Sequence, residues 1–106
     1  MDDSIDLGKN FRYIQDYPQG IIYQISDDHI GSGPEAIPAV VVDYAYDDSW
    51  IIAINKDMED QQKRYWIVDK NENYQKIAPL DSLTFYENID SWNIELRLKK
   101  TNANNT

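Results

Sequence analysis

Cysteine is absent from this 106-residue chain, histidine occurs once, and glycine and proline occur four times each. Without thiols there is neither a disulfide framework nor a thiolate metal centre, so packing and hydrogen bonds must hold the fold together. Basic residues are scarce as well, ten against nineteen Asp and Glu, for a net charge of −9. That balance argues against nucleic acid and anionic lipid as general partners and favours basic surfaces. No apolar run approaches the roughly 18 to 20 residues that span a bilayer. Repeats and low-complexity tracts are missing too.

The acidity is one-sided. Residues 1–50 carry ten carboxylates against Lys9 and Arg12, a net of −8, and the second half is almost neutral. Met1-Asp2-Asp3 is the opposite of a basic signal-peptide start, so the string does not read as an export precursor. It would equally serve as the mature part of an exported protein after removal of a leader. At this length the chain is expected to be one domain, 1–106, with residues 1–5 and 101–106 frayed. Leu, Ile, Val and a high share of Tyr and Trp supply its core.

Period-2 alternation is clearest over residues 39–54, where Val40, Val42, Tyr44 and Tyr46 alternate with Val41, Asp43 and Ala45. Asp47-Asp48-Ser49 supplies a turn, and Trp50-Ile51-Ile52-Ala53-Ile54 a second, more buried strand. A polar loop over 56–63 leads to a third strand at 65–68, and a turn at 70–73 to a short strand at 74–78. Pro79 ends the meander, and Asp81 or Ser82 caps a helix over about 82–92, with Leu83, Tyr86 and Ile89 on one side. Residues 93–100 fit both a helical and an alternating period and are assigned as a short extended segment. Two earlier extended candidates, 11–14 and 21–25, flank a turn at Pro18 and Gly20, and 26–38 reads as the longest irregular loop. The fold class expected is α+β, an antiparallel meander of five or six strands with one helix from the C-terminal half packed on a face.

Chemistry-bearing groups are few. His29, beside Asp27 and Asp28 and flanked by Ser26 and Ser32, would need convergence through the fold to form a triad, and reads as a solvated loop residue. Asp43, Asp47 and Asp48, and the set Asp57, Glu59 and Asp60, lack the spacing and central glycine of a calcium loop. They read as turn and loop carboxylates. Gly31-Ser32-Gly33-Pro34 is a turn rather than a phosphate cradle, since Pro34 lacks a donor and no helix follows. Lys63-Arg64 and Arg97 with Lys99-Lys100 are too few for a nucleic-acid footprint. Neither a metal nor a cofactor is expected, and nothing assembles a nucleophile with its base.

The aromatic complement is eight Tyr, three Trp and two Phe. Trp50 and Trp66 lie in apolar runs and are assigned to the core, whereas Tyr13, Tyr17 and Tyr23 fall in the acidic front third and are expected to be exposed. A partner surface is therefore placed on Tyr13, Tyr17, Tyr23, Asp27, Asp28, His29 and Glu35.

Several phrases carry a resemblance: Asp6-Leu7-Gly8 before Phe11 and Tyr13, Tyr17-Pro18 before Ile21-Ile22-Tyr23, and Ile37-Pro38 before a valine strand. Trp50-Ile51-Ile52-Ala53, Tyr65-Trp66-Ile67-Val68-Asp69-Lys70, and Pro79-Leu80 before an acidic cap and Phe85 complete the set. From about Asp6 to Leu98 the chain resembles a family of small uncharacterised bacterial proteins, often predicted lipoproteins, of Bacteroides-like organisms and some bacilli. The resemblance implies a cell-envelope location and brings no activity. The resulting expectation is a non-catalytic acidic binding or accessory domain of the bacterial envelope. The alternatives are a soluble immunity or inhibitor protein that binds a basic toxin or nuclease through the acidic half, in which case the location is cytoplasmic, and, last, a small Asp/Glu-dependent hydrolase.

Overall fold

In the computed structural model, residues 4–25 and 33–101 are described. The chain begins with four strands, β1 (Ser4–Gly8), β2 (Phe11–Ile14), β3 (Gly20–Tyr23) and β4 (Glu35–Ile37), that pair in sequence order as an antiparallel front sheet. Gly8 pairs with Phe11 across a two-residue loop, Lys9-Asn10, with φ of 49° and 74°. Both values are the left-handed ones that a tight turn matched to strand twist requires. A Cβ at Gly33 would stand 2.2 Å from the Tyr23 carbonyl oxygen, so only glycine lets the chain pass that close before β4 pairs with β3.

A second antiparallel sheet follows, built from β5 (Val41–Tyr46), β6 (Trp50–Lys56), β7 (Lys63–Asp69) and β8 (Lys99–Lys100) in the order β7-β6-β5-β8. Asp47 makes the β5–β6 turn, its Oδ1 accepting the Ser49 and Trp50 amides at 2.9 and 2.8 Å. In the β6–β7 loop Asp57 Oδ1 accepts the Glu59 and Asp60 amides, and Arg64 clamps Asp57 and Asp60 at 3.1 and 2.7 Å. These carboxylates thus hold turns and an arginine.

The two sheets share one core. Leu7, Phe11, Tyr13, Ile21 and Ile37 from the front sheet meet Val41, Ile51, Ala53, Trp66 and Val68 from the second. A bulge between Val41 and Asp43 shifts the phase of β5 by one residue, which keeps both Val41 and Tyr44 on this inner side. Trp66 donates to Asn55 Oδ1 at 2.6 Å, and Asn55 in turn donates to the Pro38 carbonyl at 3.1 Å, so these two buried side chains are paired, whereas Gln19 Oε1 is buried without a partner among the described residues.

The opposite face of the second sheet carries the helix α1 (Ser82–Ser91). Phe85 is its anchor, fully buried against Ala45, Ile52 and Ile94, with Tyr65, Ile67 and Leu80 packed around. Leu83 and Tyr86, assigned from spacing to the buried side, are 69% and 53% exposed. The helix meets the sheet along the Phe85–Ile89 line instead. Asp81 caps it, accepting the Thr84 amide at 2.7 Å. That bond holds the Asp81 carboxyl below the usual aspartate range. Its stabilisation is therefore full above the ordinary pKa and is lost as pH falls through the lowered one. We expect Asp81→Ala to lower the Tm at neutral pH, with the gap to the parent closing in acid; scanning calorimetry across pH checks this.

Three expectations from sequence are corrected. The single meander of five or six strands is two four-stranded sheets, because β1 and β4 form where fraying and a long loop were expected. Residues 74–78 are no strand: Asn73 accepts the Gln75 amide at 2.9 Å and starts a short 3-10 turn, Tyr74–Lys76. The ends are held further out than expected. Ser4 and Ile5 lie in β1, and Thr101 donates its amide and hydroxyl to the Val42 and Val41 carbonyls at 2.9 and 2.8 Å.

Candidate functional site

The outer face of the second sheet is covered only in part. Between α1, the Tyr74–Lys76 turn and the β6–β7 edge lies a cleft of about 700 Å³. Its apolar lining comes from Ile67, Ile77, Ala78 and Leu80, with Trp50 and Trp92 stacked at 5.6 Å between ring centroids and 20° between planes. Local sequence dictates this placement. Trp50 occupies the outward position of β6, opposite in phase to Ile51, while Trp92 is the C-cap of α1. Asn93, at φ 54°, ends the helix there, its amide donating to the Asp90 carbonyl at 3.2 Å and that of Ile94 to the Ile89 carbonyl at 3.0 Å. Trp92 therefore stays 49% exposed instead of turning into the core.

Asp69, Glu72, Asn73, Lys76 and Asn88 supply the polar side of the cleft. Asp69 and Asn73 are partly committed, each accepting a backbone amide in the turns that shape this wall. The arrangement suits a ligand with an apolar body and a few hydrogen-bonding groups.

A second feature lies just past the C-terminal end of β7. Lys70 is 6% exposed, and its ammonium donates to the Leu7 carbonyl of the front sheet and the Asp47 carbonyl of the β5–β6 turn. The same nitrogen sits 5.3 Å from the Tyr46 ring centroid. Burial pushes the Lys70 pKa down, against the pull of Asp47, Asp48 and Asp6. Lys9 reinforces the junction by donating to Asn71.

The residues assigned to a partner surface do not converge. Tyr13 is 4% exposed and stacks on Tyr44 at 4.4 Å in the shared core, which corrects its placement on the surface. It follows Arg12 in a strand whose alternate residues turn inward. Tyr23 is half-buried and stacks on Tyr74 at 4.3 Å. Tyr17, at 71% exposure, and Glu35 are on the surface. Asp27, Asp28 and His29 lie outside the described residues. Trp66 is in the core as expected, whereas Trp50 is only half-buried and lines the cleft. Sequence reading missed Trp92, Leu80, Ile77 and Lys70. Among the described residues no three His, Asp or Glu side chains cluster in a way that could hold a metal ion, and no helix is long and apolar enough to cross a membrane.

No curated protein and no solved structure was found to match the chain. A family model matches it over residues 8–102, from the β1–β2 turn to just past Thr101, and so takes in the cleft, Lys70 and both sheets apart from most of β1. On that match the chain belongs to DUF3997, a family described as a protein of unknown function.

Proposed function

We propose that this is a non-catalytic binding domain of the bacterial cell envelope, and that it takes the apolar part of its ligand into the tryptophan cleft. The observation that carries the reading is the half-exposed Trp50–Trp92 pair beside the apolar lining of Ile67, Ile77 and Leu80. An exposed indole pair of this kind costs solvation in the free protein and is repaid when a ligand covers it. The groups around it are carboxylates, amides and one amine, a complement suited to orienting a ligand. The envelope location rests on the resemblance to predicted lipoproteins.

The test uses 1-anilinonaphthalene-8-sulfonate as an apolar probe, followed by its own fluorescence and by tryptophan emission. We expect saturable binding that Trp92→Ala or Leu80→Asp weakens by at least about tenfold. Equal binding to both variants would overturn the cleft as the site. Fractionation of the source bacterium tests the location, with the membrane fraction expected. The inhibitor reading draws on exposed Asp6, Asp47 and Asp48 near the Lys70 junction; capture of a basic toxin, released by salt, would favour it over the cleft.

A further inference from the structure

Of the ten cations, five have a structural place and two, Lys56 and Lys63, are exposed at the ends of the β6–β7 loop. Lys70 is buried on carbonyls, Arg64 is clamped by two aspartates, Arg12 donates to Ser4 at 2.8 Å, Lys9 donates to Asn71, and Lys76 lines the tryptophan cleft. Arg97, Lys99 and Lys100 are different. They fall within four residues, all three are exposed, and among the described residues none of them forms an ion pair, in a chain with nineteen carboxylates.

The backbone explains how they converge. After Asn93 the chain runs extended, with Ile94, Leu96 and Leu98 packed toward the helix side of the second sheet. Residues 95, 97 and 99 therefore take the other side. Lys99 pairs with Tyr44 and Lys100 with Asp43 in the β5–β8 ladder, so Lys99 stands beside Tyr44 while Lys100 takes the alternate side beside Asp43 and touches only the border of the groove. Tyr46, two residues on and 42% exposed, continues the tyrosine row at 6.4 Å from Tyr44. Together Tyr44, Tyr46, Glu95, Arg97, Lys99 and Lys100 border a groove of about 530 Å³. Its lining carries three cations and one carboxylate, a local charge of +2 on a protein of −9.

We propose that this groove binds a phosphate ester, with the phosphate held by Arg97 and Lys99, the charge of Lys100 at the border of the groove, and the organic part against Tyr46. A phosphate monoester carries about −1.5 to −2 at neutral pH, which matches the local charge. A guanidinium fork with an ammonium group on the same side is a set suited to phosphate oxygens. Lysines on a two-residue edge strand also deter pairing with other strands. That role accounts for Lys99 and Lys100 but not for Arg97 or for the tyrosine-lined hollow beside them. The site is separate from the tryptophan cleft.

The test is calorimetric titration with phenyl phosphate and with inorganic phosphate. Phenyl phosphate is expected to bind with a dissociation constant on the order of 0.1–1 mM and more tightly than inorganic phosphate. The triple variant Arg97→Gln, Lys99→Gln, Lys100→Gln should lose at least about tenfold. The double variant Lys56→Gln, Lys63→Gln and the cleft variant Trp92→Ala should not. Tyr46→Ala should erase the preference for the phenyl ester. Arg97→Gln alone, away from the β8 ladder, should still weaken binding if the triple variant folds poorly. Unchanged binding in the triple and single variants, equal loss in the Lys56/Lys63 variant, or no binding of either probe would each overturn the proposal. So would sedimentation with phosphatidylglycerol vesicles that phenyl phosphate does not compete, since that would show attraction to a charged surface instead.

Discussion

Phe85→Ala should destabilise the protein by about 3–5 kcal/mol, the range for emptying a fully buried phenylalanine site. Phe85 is the one fully buried residue of α1 and joins the helix to Ala45, Ile52 and Ile94. Its ring also meets Tyr65 at 5.3 Å and Tyr86 at 5.0 Å. Nothing else on the ten-residue helix is buried, and a helix this short is marginal in water by itself. Removing the ring should release the helix as well as leave a cavity. Urea unfolding gives the loss, and the helical CD signal shows whether α1 detaches first. Leu83→Ala on the exposed side should change stability by less than about 0.5 kcal/mol. Because α1 also carries Trp92, binding of the apolar probe should fall in the Phe85 variant even under conditions where the sheets remain folded.

Lys70→Met should cost about 2–3 kcal/mol, because it keeps the aliphatic stem and removes the donors to the Leu7 and Asp47 carbonyls. The first of these bonds is buried, so no water replaces it readily. The pH dependence has a definite sign. Burial lowers the Lys70 pKa in the folded state. Between that value and the ordinary lysine range the unfolded chain binds more protons, so this group makes stability rise with pH through the window. Raised Tyr13 and Tyr44 pKa values, due first to burial, act the opposite way above the normal tyrosine range. They are common to both proteins and cancel in the difference. The gap between wild type and Lys70→Met should therefore widen as the solution becomes alkaline, and urea titrations at several pH values measure it.

How much of this was legible in the residues varies by element. The β5–β6 hairpin and β7 announce themselves through period-2 runs with Asp-rich turns, and the Asp81 cap through its side chain. β1 was not legible because its turn uses Lys9-Asn10 in place of a glycine pair, and the strand is held largely by its partner. β4 is three residues long and sits beside glycine and proline, where local composition says loop. For α1, Leu83, Tyr86 and Ile89 and Phe85 with Ile89 fit helical spacing equally well. The choice between them is made by where Ile52 and Tyr65 leave room, which is tertiary information. The cleft was hidden for the same reason: Trp50 and Trp92 are 42 positions apart in the chain and meet only when the helix lies across the sheet. Lys70 reads as a turn lysine from its neighbours, and no local signal marks a cation that bridges two sheets.

The β5–β8 ladder has a consequence for the order of events at the ribosome. Val41–Tyr46 finds its second neighbour only in Lys99–Lys100, and Thr101 closes onto Val41 and Val42 just beyond. The four-stranded front sheet and the β5–β6–β7 portion can assemble as they emerge. The outer edge of β5, next to buried Val40 and Val42, stays bare until nearly the last residue of the matched region has cleared the exit tunnel. A chain that stalls or is clipped before Lys99 would present that edge to any other nascent copy, so β8 acts as the latch that covers it.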